Sequence, residues 1–187
     1  MATGIVLAGG ESRRYGSPKA FAELDGRPFW RRAAEALAEA GCSPVVISVR
    51  PEHLGRMDGG FCTVTDEAEF AGDGPLAGIY SAMEAFPDER YVILPCDMPF
   101  IGPEEAARLM ELALRGTPVT AVRTQDHPVP LVGVWSGTLK ESLRQSLEAG
   151  ERGVIRFLGS VSTDWIDAAE LNENPAVFRN VNTPIDG

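Results

Sequence analysis

The chain has 187 residues, 44% of them hydrophobic and 24% charged, with 20 glycines and 14 prolines, the profile of one globular domain that needs no disulfide staples to hold a core. Its 17 basic and 27 acidic residues leave a net charge of −10, which excludes a general binder of nucleic acid or of anionic membranes and requires any polyanionic ligand to meet a local basic patch. Apolar stretches are strand-sized, MATGIVLAGG lacks the basic start of a signal peptide, and Cys42, Cys62 and Cys96 are odd in number without a CxxC spacing, so the expectation is a cytoplasmic protein with reduced thiols and no transmembrane segment.

In chain order, Gly4 to Leu7 reads as a first strand, followed by a loop from Ala8 to Lys19. A helix is expected from near Pro28, with Phe29, Ala33, Leu37 and Ala40 on one face and Gly41 as its stop. Val45 to Val49 and Cys62 to Thr65 read as strands, then a loop from Asp66 to Gly78, a strand from Tyr91 to Leu94 and a turn from Pro95 to Pro99. Gly102 to Arg115 predicts a helix in which Pro103 and Glu104 suit the positive end and Ala106, Leu109, Met110 and Ala113 form the buried stripe, with Gly116 ending it. Val119 to Arg123 and Leu131 to Trp135 read as strands, and Leu139, Leu143 and Leu147 mark a further helix ending at Gly150. The final third is less regular, with no internal repeat and no linker long enough to separate domains. Near-continuous apolar strands alternating with helices imply a parallel sheet covered on both faces.

Ligands of open parallel α/β sheets sit at the carboxyl ends of the strands, which directs attention to the loops after the first, third and fourth strands. The first, LAGGESRRYGSPKA, joins paired glycines to Arg13, Arg14 and Lys19. Glycine lets backbone N–H groups approach phosphate oxygens and the cations neutralise them; the alternative is a glycine turn with solvated basic residues. No GxxxxGK[ST] occurs, and Gly72, Gly74 and Gly78 miss the GxGxxG spacing, so neither a Walker loop nor a Rossmann dinucleotide site is expected. Asp97 stands in LPCDMPF, in a proline-flanked turn that projects a carboxylate over the sheet edge, suited to Mg²⁺ or to capping a turn, and Asp66 ends the preceding strand in the same way. His53 and His127 have no neighbours that make a hydrolytic constellation, and no GxSxG, HExxH or cysteine–histidine pattern is present. Asn180, Asn182 and Thr183 form a polar cluster before Pro184 that reads as a turn. A reaction whose nucleophile arrives already anionic needs charge screening and alignment more than a protein base.

Taken together, LAGGESRRYGSPKA, GPLAGI at 74–79, PCDMPFI at 95–101, HPVP at 127–130 and NVNTP at 180–184 make the chain resemble the molybdenum cofactor guanylyltransferase family. The resemblance implies a single-domain, doubly wound, mostly parallel α/β fold of the nucleotide-diphospho-sugar-transferase kind, with a nucleotide-binding half at about 1–100 and an acceptor-binding half at about 101–187. It implies transfer of GMP from GTP to molybdopterin or Mo-molybdopterin with Mg²⁺ as cofactor, and cofactor-delivery proteins or molybdoenzyme chaperones as further partners. Carried over by position, Leu7, Ala8, Gly9 and Gly10 contact the nucleotide, Arg14 and Lys19 hold its phosphates, Asp66 helps read the guanosine and Asp97 binds the metal. His127, Arg152, Asn180 and Asn182 fall on the acceptor side.

The chain departs from the pattern at Tyr15, where the signature has Met, at Gly153, where a second basic residue occurs in relatives, and beyond NVNTP, where a terminal helix is expected in relatives. Relatives that use CTP tend to read LAAG, so Gly9 and Gly10 favour GTP; sugar or phospholactate nucleotidyltransferases fit HPVP and NVNTP less well. A non-catalytic nucleotide-binding module is the alternative from another class, disfavoured by intact Lys19 and Asp97.

Overall fold

The structure, a computed structural model, describes residues 1–10, 18–57, 59–113 and 116–182. Strand β1 (Thr3–Leu7) leads, beyond residues 11–17, into a short 3-10 turn at Lys19–Phe21 and a two-residue hairpin, β2 (Glu23–Leu24) with β3 (Arg27–Pro28). Then follow α1 (Phe29–Glu39), β4 (Val45–Ser48), β5 (Cys62–Val64), α2 (Pro75–Ala85), β6 (Arg90–Pro95) and α3 (Pro103–Leu112). The last part adds β7 (Val119–Arg123), β8 (Pro128–Ser136), α4 (Lys140–Glu148), α5 (Val154–Ser160) and β9 (Thr163–Asp167). Gly41, at φ 101°, stops α1 in a backbone conformation that a side chain would strain, as its place after the apolar stripe predicts.

Seven strands form one sheet in the order β5-β4-β1-β6-β8-β7-β9. The first four in that order are mutually parallel, and β7 and β9 are parallel to each other, but β8 runs antiparallel to both its neighbours. The sheet is thus mostly parallel, as expected, with β8 as the reversed strand. The cause is local: only the short segment around Gln125–Asp126 joins β7 to β8, too little chain for a parallel crossover.

Alternating side chains supply both faces. Val6, Val92, Leu94 and Val134 pack under α1 and α3, whereas Ile5, Tyr91, Ile93 and Trp135 pack with residues of α2, α4 and α5. Trp135 is fully buried and stacks on Phe157 with centroids 5.6 Å apart. Gly133, two residues before it on the same face, makes room for the indole: a Cβ there would lie 2.6 Å from the Thr120 carbonyl oxygen and 3.2 Å from Trp135 Nε1. A backbone carbonyl in a central strand pair does not yield cheaply, so Gly133→Ala is expected to destabilise the fold by about 2–3 kcal/mol, read as a lower urea midpoint with unchanged slope.

Other boundaries differ from the sequence reading, β8 beginning at Pro128 instead of Leu131 among them. The loop after β5 ends at Gly74 instead of Gly78, because Pro75 opens α2; nearly every residue of that helix from Leu76 to Met83 is buried, so no polar face announces it. The irregular final third contains α5 and β9.

Candidate active site

Chain direction sets the site. β1, β4, β5 and β6 all end at the same edge, and the strand order reverses between β1 and β6, which opens a crevice there. The backbone extends both central strands into the loops: Cys96 N–H donates to the Leu7 carbonyl at 3.1 Å and Ala8 N–H to the Ser48 carbonyl at 2.9 Å. Between these loops lies a cavity of about 490 Å³. Leu7, Ala8, Gly9, Gly10, Lys19, Asp66 and Asp97 line it, so every residue expected to meet the nucleotide, Arg14 apart, faces one space. Arg14, with Arg13 and Tyr15, lies outside the described residues, as does Thr183.

Lys19 Nζ lies 3.6 Å from an Asp97 carboxylate oxygen and donates to Asn182 Oδ1 at 2.6 Å. The turn that carries Lys19 is held from behind, where Phe21 meets the buried His53 ring edge-on at 5.1 Å and the Arg56 guanidinium lies 3.8 Å above the Phe21 ring. His53 thus has a packing role, in keeping with its lack of catalytic neighbours in the sequence. Asn182 is delivered by the C-terminal segment, whose Val181 N–H donates to the Asp97 carbonyl at 2.8 Å and whose Arg179 stacks over Phe100 at 4.4 Å.

Burial raises the Asp97 carboxyl above the ordinary carboxylate range, and the Lys19 ammonium offsets part of that rise. Asp66 is raised by burial too, eased by the Gly72 N–H that it accepts at 3.0 Å and pushed further by the Asp73 charge. A half-buried carboxylate with a raised proton affinity beside a lysine, facing a cavity, is a combination common at functional sites. The positive end of α2 is also aimed here, since Gly74 and Pro75 line the cavity and the N-cap, Gly74, has no side chain with which to cap the terminus.

Other expected site residues lie apart. Asn180 is exposed beside Val181, and His127 sits exposed in the β7–β8 turn with Nδ1 3.3 Å from Thr124 Oγ1. Arg152 is bound to Asp73 at 2.6 Å. None of the three lines the cavity. Conversely, Ser48, Arg50 and Glu52, which the sequence reading passes over, do line it, with Arg50 Nε 2.8 Å from Glu52 Oε1. The sequence carries a signal for them: Ser48 ends β4 and Arg50 and Glu52 follow it, and β4 ends at the same edge as β1, β5 and β6.

A parallel-sheet crevice with a glycine loop, a lysine and a half-buried aspartate at its mouth defines a nucleotidyltransferase. The MobA-like NTP transferase domain matches residues 4–164. A protein of Pelotomaculum thermopropionicum named "Probable molybdenum cofactor guanylyltransferase" is 37% identical over 188 residues, covering 99% of this chain and 89% of the relative. One of the same name from Geobacillus sp. (strain WCH70) is 34% identical over 183 residues, covering 97% and 93%. Among solved structures, the molybdopterin-guanine dinucleotide biosynthesis protein A of Archaeoglobus fulgidus superposes with a TM-score of 0.81 at 24% identity, covering 97% of this chain and 93% of its own. The chain belongs to the MobA-like molybdenum cofactor guanylyltransferase family.

Proposed function

We propose that this protein transfers GMP from GTP to the terminal phosphate of molybdopterin, with or without bound molybdenum, and releases pyrophosphate. The observation that carries this reading is the meeting of Lys19 and Asp97, 3.6 Å apart, at the mouth of a cavity walled by Leu7 to Gly10. Both substrates are anions. Two unit charges ~4 Å apart repel by roughly 4 kcal/mol at an effective dielectric near 20, so the site must supply positive charge before alignment can help.

Lys19 supplies one such charge, with Arg14 as the second by its place in the motif. Asp97 fits Mg²⁺: a carboxylate beside Lys19 that faces a phosphate-sized space suits an ion that takes one or two protein carboxylates and completes its shell with phosphate oxygens and water. Among the described residues no group of three or more acidic, histidine or cysteine side chains forms an all-protein metal cage, which also fits an ion shared with the substrate. When bound, the ion would neutralise triphosphate oxygens.

Within the cavity, Lys19 holds phosphate oxygens and Asn182 keeps its ammonium in place. An acceptor phosphate oxygen forms the new bond to the α-phosphorus of GTP as the bond to the bridging oxygen of the β-phosphate breaks. No protein nucleophile enters; the Cys96 thiol beside Asp97 is pushed up to about 12 by burial and stays protonated. Gly9 and Gly10 need neither positive φ nor tight packing in this fold, since a Cβ on Gly9 comes no closer than 4.0 Å to its neighbours and one on Gly10 meets nothing within 4 Å. Close approach of a ligand to the backbone is then what glycine serves at these positions. The segments before and after residue 100 take the nucleotide and the acceptor respectively, Leu131, which lines the nucleotide cavity, and Asn182, which meets Lys19, excepted.

The test is pyrophosphate release with GTP, CTP and ATP, each with and without molybdopterin. Release is expected with GTP plus acceptor, at least tenfold above CTP and ATP. Equal or greater release with CTP would replace the guanine assignment, and tight GTP binding without turnover would make the chain a binding module.

A further inference from the structure

The loop from Asp66 to Gly74 forms one wall of the cavity, and its two ends are held differently. The inner end is anchored to α2: Glu67 N–H donates to Ser81 Oγ at 2.8 Å, and buried Phe70 meets Tyr80 edge-on at 5.5 Å. The outer lip consists of Asp73 between two glycines at positive φ, Gly72 at 83° and Gly74 at 80°, and both glycines face the cavity. Within the loop, Asp66 accepts from Gly72 N–H at 3.0 Å; a second side-chain tether of the lip comes from the far half of the chain, where Arg152, between α4 and α5, places Nη2 2.6 Å from Asp73 Oδ1. Glu151 does not compete for that guanidinium, because it accepts from Gly153 N–H at 2.8 Å and pairs with Arg156 at 2.9 Å.

We propose that Asp73 and Arg152 act as a positioning pair for the nucleotide, holding the outer lip of the cavity and cancelling the lip's negative charge. The inference rests on the cavity being the nucleotide site. Asp66, Asp97 and Glu52 already face that space. An unpaired carboxylate at position 73 would add repulsion against a triphosphate and would leave the two-glycine lip held only from its own loop, by Asp66 on Gly72 N–H and by the Phe70 carbonyl on Asp73 N–H. The resemblance assigns Arg152 to the acceptor; the geometry points to an effect on the nucleotide, exerted through Asp73.

The effect is modest, because the Asp73 side chain is 16% exposed but that of Arg152 is 64% exposed, and exposed pairs are weak. Arg152→Ala is expected to raise both the KM for GTP and the Kd of a non-reactive GTP analogue about three- to fivefold, and to leave the KM for molybdopterin unchanged. Asp73→Asn placed in the Arg152→Ala background removes the bare charge and is expected to recover at least half of that loss. The exchanged pair, Asp73→Arg with Arg152→Asp, is expected to recover it as well. A raised molybdopterin KM with normal analogue binding would overturn the proposal and return Arg152 to the acceptor, and so would failure of both second-site variants to recover binding. Calorimetry with the analogue reads binding without turnover, so a chain that binds GTP but transfers nothing would sink the transferase reading and leave this pair testable.

Discussion

Replacing Asp97 by asparagine is expected to lower kcat/KM for pyrophosphate release about 10³-fold or more in an intact fold. Asparagine keeps the shape of the side chain and the backbone contact to Val181 N–H, so circular dichroism and the position of the C-terminal segment should be unchanged. What it removes is the carboxylate charge that lies 3.6 Å from the Lys19 ammonium in this cavity. The pH profile adds a signed check. Burial raises the Asp97 carboxyl, so the acid limb of the wild-type activity should lie above the ordinary carboxylate range, and added Mg²⁺ should move it down by competing with the proton. The folded chain holds this proton more tightly than the unfolded one. The group's contribution to stability is therefore greatest below the unfolded carboxyl value and is lost as pH rises through the folded one, and Asp97→Asn should abolish that slope. Retention of more than a tenth of wild-type activity would contradict the assignment.

Lys19→Met is expected to cost about 10²- to 10³-fold in kcat/KM, because a preorganised charge at the triphosphate is lost while the aliphatic stem still packs. Lys19→Arg should rescue little. The ammonium reaches Asn182 Oδ1 at 2.6 Å and Asp97 at 3.6 Å from a turn locked by Phe21, and a longer planar guanidinium cannot keep both distances. The measurement is steady-state kinetics with calorimetric binding of a GTP analogue. Wild-type kcat in Lys19→Met would refute a phosphate role for this residue.

Much of the scaffold is legible in the sequence, because the buried strands are short β-branched runs bounded by turn residues. Val119 to Arg123 coincides with β7, and Val45 to Val49 exceeds β4 by one residue. α1 is legible for the same kind of reason: Phe29, Ala33 and Leu37 are buried on one face and Gly41 follows. α2 is not, since a helix packed nearly all round has no periodic contrast to read. β8 is legible as a strand but not in its direction, which hydrophobic alternation does not encode. β9, with Asp164 and Asp167 in an edge strand, carries too weak an apolar signal to be told from loop.

At the site, the glycine loop, Lys19, Asp66 and Asp97 stand out because their residue types are unusual at strand ends. Their meeting follows from strand order, which a parallel sheet makes inferable. The contact between Asn182 and Lys19 and that between Arg152 and Asp73 do not follow from any local pattern, because each joins segments distant in the chain. Long-range side-chain pairing of this kind is written in packing, not in spacing, and the structure is what brings NVN to the lysine.

The most direct measurement is a crystal structure with Mn²⁺ and a non-hydrolysable GTP analogue, in which anomalous scattering locates the ion. The expected result is a peak about 2.1 Å from an Asp97 oxygen and from an α-phosphate oxygen, with the Lys19 amino group on the triphosphate. A triphosphate bound elsewhere, with Lys19 and Asp97 still facing only each other, would contradict the account.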